Sequence, residues 1–186
     1  MLAAADDARP AALAARLALP LIATESAALL LAYGADGLEL RAPGRRLTPL
    51  RVDFSHIGQH GGGELLRAAR VKARPARLLD LTAGLATDAF RLARAGFEVT
   101  ACERVPVIHA LVEDALVRAP ALPAPGRLEL RLADARTVLA DPALPAPDVI
   151  YLDPMFPGEG RTALPRRELQ LLRELTGADD TGTELL

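Results

Sequence analysis

The apolar positions change rhythm part-way along the chain. Up to Pro75, short apolar runs alternate with turn residues. Leu29–Ala32 and Leu38–Arg41 flank Gly34-Ala35-Asp36-Gly37, which predicts a β-hairpin with a glycine-bearing turn. Leu50–Phe54 reads as a third short strand. After Gly61-Gly62-Gly63, the stretch Glu64–Val71 puts Leu65, Leu66 and Ala69 on one helical face. Arg74 and Pro75 read as a linker.

From Arg77 onward, strand and helix patterns alternate. Arg77–Leu81 is an apolar run carrying Asp80 near its end. Thr87–Ala95 predicts a helix stopped by Gly96. Glu98–Cys102 predicts a strand ending at Glu103, and Val105–Arg118 a second helix. Leu128–Leu132 alternates and leads to Asp134; Asp148–Leu152 enters Asp153-Pro154. Arg166–Thr176 predicts a late helix, with Leu169, Leu172 and Leu175 three residues apart. Repeated βα units predict an α/β fold, a mostly parallel sheet with helices on both faces. The expected organisation is a small N-terminal α+β subdomain over 1–75 and the main domain over 76–186.

Composition narrows the function classes. The 186 residues are 51% hydrophobic, which excludes a disordered chain and suits one domain with a small appendage. Cys102 is the sole cysteine, so neither a disulfide framework nor a multi-cysteine zinc site forms within the chain. His56, His60 and His109 lack ligand spacing, and no metal is expected. No apolar run reaches membrane-span length. Asp6 and Asp7 stand where a signal peptide would be basic, so a cytoplasmic protein is expected. A net charge of −2 speaks against a general nucleic-acid coat protein. Local basic stretches remain: Arg67, Arg70, Lys72, Arg74 and Arg77, and then Arg161, Arg166 and Arg167.

The chemistry gathers at the strand ends. In open α/β sheets, ligands bind beyond the carboxyl ends of the strands. Asp80, Glu103, Asp134 and Asp153 stand at or just past four consecutive ends. Acids also favour loops and helix caps, but four in register point to a ligand site. The small-residue turn Asp80–Asp88, containing Gly84, lets backbone approach a ligand at the start of a helix. It is neither G-x-G-x-x-G nor a P-loop, which argues against a pyrophosphate binder. Asp80 suits a cationic or amino-bearing ligand such as S-adenosylmethionine. Glu103 lies where an acid accepts hydrogen bonds from both ribose hydroxyls of an adenosine. Arg104 either lies along the adenine or faces solvent.

Asp153-Pro154-Met155-Phe156-Pro157 is the most informative segment: an acid, Pro, any residue and an aromatic after the fourth strand resemble the motif of methyltransferases acting on planar amines. An exocyclic base amine is a poor nucleophile because its lone pair is delocalised. Asp153 and the Pro154 carbonyl can accept its hydrogens and aim that lone pair at a methyl donor. Phe156 can stack on the base and hold it out of its own stack. The flanking prolines limit the entropy lost on alignment.

At these residues the chain resembles the ribosomal small-subunit methyltransferase J family, which methylates guanine N2 near the 3′ end of 16S rRNA. The matching stretches are Val52-Asp53-Phe54, Gly61-Gly62-Gly63, Asp80–Asp88, Glu103-Arg104-Val105-Pro106 and Val149–Pro157. The resemblance implies a Rossmann-like class I S-adenosylmethionine-dependent methyltransferase sheet. It implies 16S rRNA within the small subunit as partner and Asp153, Pro154 and Phe156 as the catalytic set. Cofactor positions would be Asp80, Gly84, Thr87, Asp88, Glu103, Arg104, Asp134, Ala135 and Asp153. Where the family loop reads Gly-Leu-Gly-Arg-Asp, this chain has Gly84-Leu85-Ala86-Thr87-Asp88. Ser55–His60 is also shorter than the family's basic stretch. The family continues past the position of Leu186, so the chain is expected to be a shortened member with Val149–Leu152 at a sheet edge. Alternatives are an N-methyltransferase acting on another nucleic-acid or protein amine, and a chain without catalysis.

Overall fold

The computed structural model describes residues 1–2, 7–57, 63–69, 76–153 and 167–176. The chain groups into two compact units, Met1–Val52 with Glu159–Ala178, and Asp53–Gly158 with Asp179–Leu186. That division differs from the boundary expected near residue 75. The glycine-led helix falls in the second unit and the late leucine helix in the first.

The first unit opens with helix α1 (Arg9–Arg16), which buries Pro10, Leu13 and Ala14. An alanine-rich stretch offers little polar contrast, and sequence reading missed this helix. Strands β1 (Leu30–Gly34) and β2 (Gly37–Arg41) form the expected antiparallel hairpin, from Leu30 opposite Arg41 to Gly34 opposite Gly37. Gly37 closes the turn with φ near 122°, a conformation that excludes most side chains. The third strand expected over Leu50–Phe54 reduces to a single bridge between Leu40 and Leu50. Phe54 instead stacks on Phe90 within the second unit, ring centres 4.4 Å apart.

The second unit contains α2 (Gly63–Ala68), then β3 (Arg77–Asp80), α3 (Thr87–Arg94), β4 (Glu98–Glu103) and α4 (Pro106–Arg118). It continues with β5 (Arg127–Leu132), α5 (Ala135–Leu139) and β6 (Val149–Tyr151). The remaining described helix, α6 (Arg167–Thr176), belongs to the first unit, where Arg45 pairs with Glu174 at 2.6 Å. Helix α5 is only five residues long, too short for a periodic signal, and sequence reading missed it too.

Strands β3 to β6 form one parallel sheet in the order β5-β4-β3-β6. Side chains alternate across a strand, so Leu78 and Asp80 share one face of β3 and Leu79 the other. On the second face Leu79, Leu81 and Cys102 pack with Ala135 and Val138 of α5. Helices α3 and α4 bury Ala89, Phe90, Ala93, Ile108, Leu111 and Val112, and both contact β4 and β5. Consecutive βα units move outward from β3 to β5, and the chain then returns to β3's other side with β6. That reversal beside β3 is the switch point at which open α/β sheets form a ligand crevice.

Candidate active site

The crevice is built on the turn after β3. Gly84 and Ala86 both adopt left-handed backbone, with φ of 52° and 55°. The Ala86 N–H donates to the Ala83 carbonyl at 2.7 Å, and the Ala83 N–H to the Cys102 carbonyl at 3.0 Å. The loop is thereby tied to β4 and starts α3 without a side-chain cap. Thr87, the first residue of α3, is exposed, and Asp88 is half-buried.

Four carboxylates converge on this loop. Asp80 is 1% exposed and accepts the Thr82 N–H at 3.0 Å. Burial pushes its carboxyl up to about 7, and the nearby charges of Asp88, Asp153 and Glu103 add to the rise against the Thr82 hydrogen bond. Glu103 is 6% exposed; the Gly84 and Val105 N–H groups donate to its two oxygens at 3.0 and 2.7 Å. Burial raises Glu103 as well, while these hydrogen bonds oppose the rise. The Arg104 N–H donates to the carboxylate as well, and with about four lone-pair sites on its two oxygens the group keeps acceptor capacity for a ligand hydroxyl. Glu103 therefore braces the glycine turn and can still accept from a diol.

Asp134 caps α5, accepting the Arg136 N–H at 2.9 Å and pairing with the Arg136 guanidinium. The hydrogen bond from the Arg136 side chain, and after it the one from the Arg136 N–H, hold its carboxyl below the usual range, with a smaller contribution from the charge of Arg104. Arg104 is exposed, and Ala135 is buried at the start of α5. Asp80, Gly84, Asp88, Glu103 and Asp153 are thus brought to one crevice, with Arg104, Asp134 and Ala135 at the adjoining ends of β4 and β5. Asp153 is exposed two residues past β6, and Pro154 and Phe156 lie outside the described residues.

Two functional candidates escaped sequence reading. Tyr151 pairs in register with Asp80, so both side chains leave the same sheet face. Its hydroxyl donates to Asp88 Oδ2 at 3.0 Å. Burial, followed by that hydrogen bond and the surrounding carboxylates, raises its hydroxyl well above the ordinary range. Thr82 Oγ1 accepts the Asp153 backbone N–H at 2.8 Å. The turn after β3 therefore holds the start of the Asp-Pro-Met-Phe-Pro loop directly. Both lie within stretches that match the family, Asp80–Asp88 and Val149–Pro157, but nothing local marks them out from their neighbours.

A buried acid among acids, beside a left-handed turn braced by a second acid, fits a ligand that carries positive charge at one end and a ribose diol at the other. Residues 12–186 match the family described as "Putative SAM-dependent methyltransferase". The chain belongs to this family. Ribosomal RNA small subunit methyltransferase J of Coxiella burnetii (strain RSA 331) is 40% identical, covering 94% of this chain and 74% of that protein. The enzyme of the same name from Ectopseudomonas mendocina (strain ymp) is 41% identical, covering 93% of this chain and 71% of its own. A crystal structure of a SAM-dependent methyltransferase from Neisseria gonorrhoeae superposes with a TM-score of 0.67 at 28% identity. It covers 95% of this chain and 73% of that one. For this methyltransferase the cofactor is S-adenosylmethionine, and the crevice chemistry suits it. Among the described residues, no helix is long and apolar enough to cross a membrane.

Proposed function

We propose that this methyltransferase transfers a methyl group from S-adenosylmethionine to the exocyclic N2 of a guanine near the 3′ end of 16S rRNA, within the small ribosomal subunit and in the cytoplasm. The observation that supports the reading is the hydrogen bond from the Asp153 N–H to Thr82 Oγ1, which ties Asp153 to the turn after β3. The names of the two relatives supply the substrate class.

The bound cofactor supplies a methyl group activated by a sulfonium. Asp80 and Asp88 hold the cationic methionine end, with Gly84 and Thr87 lining the turn. Glu103 accepts the ribose hydroxyls, and Arg104, Asp134 and Ala135 flank the adenine. Asp153 and the Pro154 carbonyl accept the amine hydrogens and aim the nitrogen lone pair, while Phe156 stacks on the extruded base. When bound, S-adenosylmethionine would supply the methyl group for a direct in-line displacement, the N–C bond forming as the S–C bond breaks, and Asp153 or water would take the amine proton. Near-attack alignment of this kind lowers a barrier without any covalent enzyme intermediate.

The test is methyl transfer from labelled S-adenosylmethionine to small subunits lacking the modification, alongside naked DNA and bulk protein. Label confined to 16S rRNA N2-methylguanine, and lost in Asp153→Ala, is the expected result. Label in DNA or protein would move the reading to another amine. Absence of cofactor binding by calorimetry at millimolar ligand would overturn it.

A further inference from the structure

Asp88 is held differently from the other acids of the crevice. Asp80 and Glu103 accept backbone N–H groups, whereas both oxygens of Asp88 accept from side chains. Arg91, three residues further along α3, donates through Nη1 to Oδ1 at 2.5 Å. Tyr151, on β6, donates through its hydroxyl to Oδ2 at 3.0 Å. Thr87, beside Asp88, carries no charge, so the positive charge on this carboxylate comes from the side chain at position 91.

An acid in the first turn of a helix with a base three residues on is a common surface pair that adds little to stability. The bond from Tyr151 separates this case from that one. A carboxylate turns easily about its last torsion. Two bonds, one to each oxygen and from two different elements, fix that torsion. The side chains of Arg91 and Asp88 are only 25% and 34% exposed, which shields the pair from part of the screening that weakens surface pairs.

The same two bonds set where the carboxylate stands. Tyr151 is the register neighbour of Asp80, so Asp88 is drawn to the ends of β3 and β6, close enough for its charge to act on Asp80. Glu103 braces the turn from the β4 side. In the order β5-β4-β3-β6, the strands β4 and β6 flank β3, two strand spacings or about 10 Å apart. A ligand that gives a ribose diol to Glu103 therefore reaches Asp88 with its other end. In S-adenosylmethionine that end carries an ammonium group. With about four lone-pair sites on a carboxylate, Asp88 keeps acceptor capacity after both bonds are made.

We propose that Arg91 and Tyr151 are positioning residues that clamp Asp88, so that its remaining lone pairs meet the ammonium group of the cofactor's methionine end. The inference rests on the assignment of Asp88 to that end made above. Arg91 acts through Asp88. A carboxylate aligned in advance spares the cost of ordering it when the cofactor binds.

The test is calorimetry on the full chain with three ligands. S-adenosylmethionine is the first. S-adenosylhomocysteine keeps the amino-acid end and lacks the sulfonium. 5′-Methylthioadenosine keeps the adenosine and the thioether and lacks the amino-acid end. Arg91→Met retains an apolar stem and removes the charge. It should weaken both ligands that carry the amino-acid end about 3- to 10-fold and leave methylthioadenosine unchanged. Arg91→Lys should recover part of the loss. In an Asp88→Ala background Arg91→Met should cost nothing further, because the group it positions is gone. Wild-type affinities in Arg91→Met overturn the proposal. So does an equal loss for all three ligands, which would mean that Arg91 acts only through the fold. A loss for S-adenosylmethionine that S-adenosylhomocysteine escapes sets the carboxylate against the sulfonium and overturns it as well. Wild-type cofactor affinity in Asp88→Ala removes the role given to Asp88, whereas weak binding in Asp88→Ala beside wild-type binding in Arg91→Met removes the clamp alone. If small subunits accept no methyl group, the proposed substrate fails, and the three ligands still decide the clamp.

Discussion

At the scale of single residues, the turn after β3 stores two costs. Ala86 is 1% exposed and sits at φ 55°, where a Cβ crowds the following carbonyl. The penalty is about 1–2 kcal/mol, and glycine escapes it. Ala86→Gly should therefore raise the unfolding free energy by about 1 kcal/mol, read by urea denaturation; an unchanged or lower value would sink the strain argument. The second cost is Asp80, whose carboxyl sits at about 7 because it is buried among carboxylates. In the unfolded chain an aspartate titrates near ~3.9. Between these values the folded protein keeps a proton that the unfolded chain has released, so stability falls as pH rises from about 4 to about 7 and then stays level. Each unit of displacement corresponds to about 1.4 kcal/mol. Asp80→Asn should flatten that slope and melt higher than wild type at pH 8, at about 2–4 °C per kcal/mol. It should also bind S-adenosylmethionine more weakly. Cofactor affinity in the wild type should strengthen as pH rises through 7, because the ionised carboxylate holds the cation. Calorimetry at pH 6 and pH 8 checks the second half, and equal affinities at both would contradict it.

At the scale of elements, two hydrogen bonds join the β6 end to the turn and helix after β3. One runs from the Tyr151 hydroxyl to Asp88 and the other from the Asp153 N–H to Thr82. Either contact contributes about 1 kcal/mol to stability, but their larger effect is on alignment. Tyr151→Phe frees Asp88 on the cofactor side and should weaken S-adenosylmethionine binding. Thr82→Val removes the acceptor for Asp153 at nearly constant volume and should lower kcat with little change in cofactor affinity. If both variants changed cofactor affinity and kcat alike, the two bonds would be acting only through general stability. These contacts also show where sequence reading stops. Alternation of strand and helix from Arg77 onward reveals the βα order, most clearly at α3, which presents a sharp apolar face. Acids at strand ends reveal Asp80, Glu103 and Asp134, because strand ends face one way in a parallel sheet. Tyr151 reads as core from sequence, because its role depends on pairing in register with Asp80, 71 residues earlier in the chain. Phe54 reads as a strand residue for the same reason; its partner Phe90 lies on a helix that the local pattern does not bring to it. The glycine family pattern marks Ala86 as a departure, but only the left-handed φ shows what that departure costs.

At the scale of the whole molecule, the sheet is covered unevenly. Leu79 and Ile150 are register neighbours and so share a face. Leu79 is 2% exposed beneath α5, yet Ile150 is 56% exposed. The difference arises because α5 packs over β3 and β4, where Leu79, Leu81 and Cys102 meet Ala135 and Val138. Strand β6 ends the sheet among the described residues. Parallel strands normally have both faces covered and read as continuous apolar runs, and Val149-Ile150-Tyr151-Leu152 has that composition. An apolar strand at a sheet end presents unpaired backbone groups that can pair with a second chain. Self-association through β6 is therefore expected as the concentration of this 186-residue chain rises. Ile150→Lys places a charge at the middle of that edge, on the face turned away from Asp80 and the cofactor turn. It should lower the weight-average mass at high concentration in sedimentation velocity. Cofactor affinity should be unchanged, and stability should move by less than about 0.5 kcal/mol, as for other exposed positions. A wild-type chain that sediments as a monomer at every concentration, with Ile150→Lys indistinguishable from it, would show that β6 does not seek a partner strand.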